Sequence, residues 1–284
     1  MIHTPVLLKE ILSLFSIPME RFLDGTLGLG GHAEALLLAH PEIKRYYGID
    51  RDPEALGLAE GRLGSKLIPI HGSFVDMDTL VSEQVDGILL DLGVSSLQLD
   101  KAEKGFSFMR EGPLDMRMNP EDEIDAAYIT NHYSEKELGR IFLEYGEERK
   151  WRQVAKAIVE ARRRKKFETT FDLCRALDPV LKRVGKLHPM TRVFQALRIE
   201  VNQELKVLER VIPIAIKMLR PGGRLAIIAF HSLEDRIVKY AFRHFMVEEK
   251  SVDILTKKPL EADREECRKN PRARSAKLRV IEKK

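Results

Sequence analysis

The stretch Arg21-Phe22-Leu23-Asp24-Gly25-Thr26-Leu27-Gly28-Leu29-Gly30-Gly31-His32-Ala33 decides the fold. A short apolar run ends in an acid, a glycine-rich turn follows, and helix-forming residues continue to Ala39 before Pro41 stops them. Strand, glycine turn and helix in that order open a parallel sheet. The turn brings backbone N–H groups close to whatever binds beyond the strand. The rhythm then repeats. Tyr46 to Asp50 predicts a second strand, and Asp52-Pro53 a capped helix start. Leu67 to His71 predicts a third strand, which Pro69 places at an edge. Val85 to Asp91 predicts a fourth, whose Gly87-Ile88-Leu89-Leu90 reads as buried on both faces.

From about Lys101 to His188 no strand-like run of similar strength occurs. Helical stretches replace it: Ser134 to Tyr145 with a Ser-x-x-Glu box, Glu148 to Lys165, and Thr170 to Val184. The alternation resumes with a long helix from about Thr191 to Leu219, with Pro213 as its candidate interruption. A strand from Arg224 to Phe230 and a helix from Leu233 to Met246 follow. Val252 to Leu255 and Leu278 to Ile281 are positioned to pair as a terminal hairpin. The expected organisation is an α/β sheet domain, residues 1–100 with 190–284, carrying a helical insertion over 101–189.

Composition narrows the function classes. Two cysteines, Cys174 and Cys267, exclude a disulfide framework and a four-thiolate zinc site, and no metal site is expected. No run approaches the roughly 20 apolar residues of a membrane helix, and Met1-Ile2-His3-Thr4-Pro5 lacks a basic-then-apolar leader. A soluble cytoplasmic protein is expected. The net charge of +4 is unevenly spread: residues 149–183 carry +8, residues 268–284 carry +7, and the remainder −11. Two basic blocks on an acidic chain suit a polyanion, or else a solvated helix face and a basic tail. The candidate residues are Arg162, Arg163, Arg164, Lys165 and Lys166 in the insertion, and Arg272, Arg274 and Lys277 in the tail.

Gly28-x-Gly30-x-x-Ala33, with Asp50 about twenty residues later, suits NAD, FAD or S-adenosylmethionine alike. An acid at the end of the second strand accepts bonds from ribose hydroxyls, or caps the helix at Asp52-Pro53. Two features favour S-adenosylmethionine. Asp24 stands where a carboxylate holds a cationic amino-acid moiety and repels a pyrophosphate. Leu219-Arg220-Pro221-Gly222-Gly223 ahead of an apolar strand is a common lead-in in methyltransferases. The fourth strand ends in Asp91-Leu92-Gly93-Val94-Ser95-Ser96, where an acid and backbone carbonyls can accept hydrogen bonds from an exocyclic amine; the alternative is a plain turn with serine caps.

Several blocks resemble the bacterial RsmH (MraW) family. They are His3-Thr4-Pro5-Val6-Leu7-Leu8, Asp24 to His32, Asp91 to Ser96, Gly105-Phe106-Ser107-Phe108 and Gly112 to Met118. Thr191 to Arg198, Phe230-His231-Ser232-Leu233-Glu234-Asp235-Arg236 and Asn270 to Arg279 continue the likeness in order along nearly the whole chain. The resemblance implies a Rossmann-like class I methyltransferase sheet with an inserted helical domain. It implies S-adenosylmethionine-dependent methylation of the N(4) amine of a cytidine in small-subunit (16S) ribosomal RNA, near the decoding centre. The implied cofactor contacts fall on Gly30, Gly31, His32, Asp50, Phe74, Asp91 and Gln98, with Asp91 the catalytic candidate. The family usually has proline after the two serines, where this chain has Leu97.

Each of these residues has a plainer reading. Phe74 suits a core aromatic, His32 a helix cap, His231 a structural hydrogen-bonding residue, and Trp151 the insertion core. The rival functions are a dinucleotide-dependent oxidoreductase and a non-catalytic RNA-binding or ribosome-assembly factor. The expected partner is 16S rRNA in the small subunit, not a membrane, and a homodimer is compatible with the sequence.

Overall fold

The computed structural model describes residues 5–93, 102–182 and 188–284. It divides into two compact units, 1–93 with 205–284 and 94–204. Among the described residues no helix is long and apolar enough to cross a membrane.

The first unit is built on a seven-stranded sheet among the described residues. Its strands are β1 (Arg21–Asp24), β2 (Arg45–Asp50), β3 (Leu67–His71), β4 (Val85–Asp91), β5 (Leu219–Ala229), β6 (Val252–Ile254) and β7 (Lys277–Lys283). They lie in the order β3-β2-β1-β4-β5-β7-β6. β1 to β5 are parallel, whereas β7 runs antiparallel to both β5 and β6. β3, with its proline, is an edge strand, and the terminal hairpin pairs onto the sheet as its sequence predicts.

Alternation along the strands feeds a core on each side of the sheet. Phe22, Leu89, Ala226 and Ile228 face one side with Ile11, Phe15, Leu36 and Tyr46. Leu23, Ile88, Leu90, Leu225 and Ile227 face the other with Val211, Ile212, Val238 and Phe242. β4 and β5 are covered on both faces, so their apolar runs are continuous. β5 starts earlier than its sequence suggests. Leu219 pairs with Val85 and Arg224 with Gly87, so Pro221-Gly222-Gly223 is accommodated as a bulge. Asp86 fastens the lower edge, its Oδ2 accepting the N–H groups of Glu20 and Arg21 at 2.8 Å each.

The order of connection reverses between β1 and β4. In open α/β sheets the crevice beyond the carboxyl ends of such a strand pair is where ligands bind.

The second unit packs the helices Ala126–His132, Glu135–Glu144, Trp151–Arg162, Thr170–Leu177 and Thr191–Asn202 around Ile129, Leu138, Phe142, Val154, Ile158, Leu173, Phe194 and Leu197. Two helix starts carry reciprocal capping boxes, Ser134 with Glu137 and Thr169 with Asp172. The single long helix expected from Thr191 to Leu219 is two. It breaks at Gln203, in the left-handed region at φ 50°, and Arg198 closes the corner with two bonds to Glu204 at 2.7 and 2.8 Å. Pro213 sits inside the helix Glu204–Met218, held by buried neighbours on both sides of it. The half before the break buries Val193, Phe194 and Leu197 in the helical core. The boundary therefore falls after Glu204 and not near residue 190.

Asn202 anchors that core. Its Oδ1 accepts from Met118 N–H at 2.8 Å, and its Nδ2 donates to the carbonyls of Met116 and Arg198 at 2.8 and 2.9 Å. Asn202→Ala strands these buried backbone groups, at about 1–3 kcal/mol for each one left unsatisfied. Urea unfolding should show a loss of about 2–4 kcal/mol at an unchanged m-value.

Candidate active site

Two carboxylates shape the turn after β1. Asp24 Oδ1 accepts the Thr26 N–H at 3.0 Å, and its Oδ2 accepts the Tyr46 hydroxyl at 3.2 Å. Asp50, at the end of β2, accepts the Gly28 N–H at 2.7 Å through Oδ2 and the Asp52 N–H at 2.9 Å through Oδ1. Each Asp50 oxygen keeps acceptor capacity beyond its one printed bond. The helix cap is not Asp50 but Asp52, which accepts from Glu54 N–H at 3.1 Å.

Gly30 adopts φ 73° as it leads into the helix Gly31–Ala39, and a Cβ there would stand 2.8 Å from Leu63. A Cβ on Gly25 would stand 2.5 Å from Leu90 and 3.0 Å from the Phe74 Cβ, so glycine lets the turn close against β4 and Phe74. The first N–H groups of the helix have no intrahelical acceptor and face the crevice end of the sheet.

Thr26 joins this turn to β4, since its Oγ1 accepts the Asp91 N–H at 2.7 Å. The Asp91 carboxylate has its Oδ2 3.9 Å from His32 Nδ1. Its Oδ1 is buried with no hydrogen-bond partner among the described residues. Burial, then the charge of Glu234, pushes Asp91 up to about 7. Burial pushes Asp24 up to about 6, and raises Asp50 as well. His32 does not cap its helix. Its ring is buried, with Nε2 2.9 Å from the Val6 carbonyl, which fixes the proton on Nε2. Burial holds His32 below its ordinary value. Neutral His32 therefore presents a bare Nδ1 towards Asp91.

Phe74 is half-buried at the end of β3 and packs against the core beside Met77. Asp24, Gly30, Gly31, His32, Asp50, Phe74 and Asp91 thus belong to one unit, on or just beyond the carboxyl ends of β1 to β4. Gln98 and the segment Val94 to Ser96 lie outside the described residues. His231 takes the structural role. Its Nδ1 accepts the Glu234 N–H at 3.3 Å, while Glu234 Oε2 accepts the N–H groups of Phe230 and His231 at 2.8 and 3.2 Å. The sequence reading missed Thr26, Tyr46 and Glu234, whose partners are 65, 22 and up to 4 residues away. Only the Glu234 box had a local signal, a His-x-x-Glu before an apolar run.

The basic candidates divide. Arg162 donates to the carbonyls of Thr130 and Tyr133 at 3.0 and 2.7 Å, and Lys165 pairs with Asp172 at 3.0 Å. Arg163, Arg164 and Lys166 are exposed. In the tail, Lys277 lies 3.8 Å from Asp235, and Arg274 Nε donates to the Cys267 carbonyl at 3.3 Å. Arg272 is half-buried. Trp151 packs against the helical core under the Arg152 guanidinium at 4.1 Å. Both cysteines are free thiols.

The strand order, its single antiparallel strand between β5 and β6, and an acid at the end of each of β1, β2 and β4 define a class I methyltransferase sheet. Comparison with known proteins goes further. A family model described as the MraW methylase family matches residues 1–284, and the chain belongs to this family. The ribosomal RNA small subunit methyltransferase H of Chlamydia trachomatis serovar D is 50% identical over 292 residues, covering 99% of this chain and 96% of that protein. A protein of the same name from Trichodesmium erythraeum is 48% identical over 288 residues, covering 99% of each. Another from Crocosphaera subtropica is 46% identical over 291 residues, covering 100% of this chain and 90% of the relative. The chain is a methyltransferase.

The raised acids leave a stability signature. A carboxyl that binds its proton more tightly when folded favours the folded state in full below the unfolded value near 3.8 and loses that contribution as pH rises to about 7. Asp91→Asn removes the ionisable group while keeping its shape. Relative to the parent, this variant should gain stability between pH 4 and pH 8, measured by urea unfolding without added ligand. An identical difference at both pH values would mean that Asp91 titrates normally.

Proposed function

We propose that this methyltransferase transfers a methyl group from S-adenosylmethionine to the N(4) amine of a cytidine in small-subunit (16S) ribosomal RNA, near the decoding centre, in the cytoplasm. One observation carries the cofactor reading. Asp24 and Asp91 are two acids at the switch point, both pushed towards their protonated forms by burial, and Asp91 has a buried oxygen without a partner. No lysine or arginine among the described residues pairs with either. Such a pocket stabilises a cation and repels a pyrophosphate, which favours a sulfonium with an amino-acid ammonium over a dinucleotide.

Gly30, Gly31 and His32 supply helix-start N–H groups, Asp50 the ribose acceptor, Phe74 the adenine edge, and Asp91 with Gln98 the remaining contacts. When bound, S-adenosylmethionine supplies a methyl group already activated on sulfur. The chain has to align the amine with that methyl and exclude water. Cytosine's amine is a weak nucleophile because its lone pair is delocalised into the ring. Asp91 Oδ1, the free acceptor, takes a hydrogen bond from the amine and so localises that pair and disperses the charge that develops. A carboxyl near 7 is matched to accepting a proton at neutral pH. His32 positions Asp91 through its bare Nδ1.

The RNA reading rests on the relatives' names and on the basic clusters. Arg163, Arg164 and Lys166 present charge to phosphates from the helical unit, while Arg162 and Lys165 brace the same segment. Arg272, Arg274 and Lys277 do so from the tail. A target base must be splayed from its neighbours to enter such a site.

The test is to map N(4)-methylated cytidines in small-subunit rRNA from cells lacking the protein, then resupplied with the parent or with Asp91→Ala. The modification should vanish and return only with the parent; its persistence in the deletion would overturn the assignment. For the cofactor, Asp50→Ala should weaken S-adenosylmethionine binding by about 1.5–3 kcal/mol in calorimetry, the range for a hydrogen bond to a charged group. Unchanged affinity in a folded variant would remove Asp50 from the ribose.

A further inference from the structure

The helix Ser232–Val247 begins just beyond β5, whose Ile228 is paired with Asp91. Its inward side is apolar, with Leu233, Val238 and Phe242 buried in the sheet core and Ile237, Ala241, Phe245 and Met246 packed against it. Its outward side is Arg236, Lys239, Tyr240, Arg243 and Val247, all exposed. These residues recur at intervals of three and four, so they form one stripe along the helix. No carboxylate lies on that stripe. The helix's two acids are turned aside and engaged: Glu234 in the cap with His231, and Asp235 in two bonds to Arg279 at 2.6 and 3.2 Å. Tyr240 is 58% exposed, and the Lys239 ammonium lies 5.7 Å from the centre of its ring.

We propose that this stripe docks an RNA strand next to the target cytidine, with Lys239 and Arg243 on phosphates and Tyr240 as a stacking platform for an unpaired base. The inference rests on the RNA reading given above and adds a surface on the sheet unit to it. Three features favour RNA as the occupant. The charge is of one sign along a helix of 16 residues. The only large apolar group exposed besides Val247 is an aromatic ring with a cation beside it, a combination that suits a base and its phosphate and gives a protein partner little to bury. The stripe also continues into the basic tail, because Asp235 gathers Lys277 at 3.8 Å and Arg279 to the start of the same helix. Lys239 and Arg243 are separated by about 6 Å along the axis, enough to meet two separate phosphates.

The test uses the full chain and small ribosomal subunits from cells lacking the modification, with binding measured at several salt concentrations and turnover at saturating S-adenosylmethionine. The double variant Lys239→Gln/Arg243→Gln should flatten the log–log salt slope by about 1.4–1.8, for two phosphate contacts at 0.7 to 0.9 each. It should raise KM for the subunit and leave kcat and cofactor affinity unchanged. Tyr240→Ala should weaken binding about tenfold at an unchanged slope, and Tyr240→Phe, which keeps the ring, should bind as the parent does. A double variant with the parent's affinity and slope overturns the docking surface while the parent's own methylation leaves the RNA reading intact. A parent chain that neither binds nor methylates the subunit overturns both.

Discussion

Thr26 holds the candidate site together. Its N–H is bonded to Asp24, and its hydroxyl oxygen accepts the Asp91 N–H. Through these two bonds the glycine turn after β1 and the end of β4 become one rigid edge. The position of the helix-start N–H groups, of His32 and of both buried acids depends on that edge. Asp50 completes it from the other side by fixing Gly28. The crevice is thus built from backbone donors and carboxylates, with its lysines and arginines kept on outer surfaces.

That division explains how one small site can serve a cationic cofactor and a polyanionic substrate. Burial costs each carboxylate its solvation, so Asp24 and Asp91 favour a positive ligand close by. The cations that suit RNA sit where water still solvates them, on the tip after Arg162 and along the helix after β5. Opposite charges are separated by placement, so neither set neutralises the other.

The sheet was legible because its signals are local. An apolar run, a glycine turn and a proline-started helix each span a few residues, and Pro69 alone assigned β3 to an edge. Asp50 was legible for the same reason, as an acid at a strand end. What escaped depends on contacts across the chain. Nothing near Thr26 announces an acceptor for a backbone group 65 residues away. Arg162 reads as a member of a basic run, yet its head is spent on two carbonyls of a neighbouring helix. Pro213 reads as the breaker, but packing on both sides carries the helix through it, and the actual break falls on a glutamine forced left-handed by the Arg198–Glu204 corner.

The helical unit separates β4 from β5, and this has a kinetic consequence. The central pairing of the sheet joins residues such as Asp86 and Arg220, 134 positions apart. Closing so long a loop from an open chain is entropically expensive, and contacts this distant in sequence form slowly. The helical unit's own contacts are mostly between successive helices, and local contacts form fast. Once it is compact, the loop that β4 and β5 must close is shortened from a random coil to the span of a folded body. The order of events is therefore biased: the inserted helices collapse early, and the catalytic edge is assembled late, on a chain whose substrate-facing part already exists.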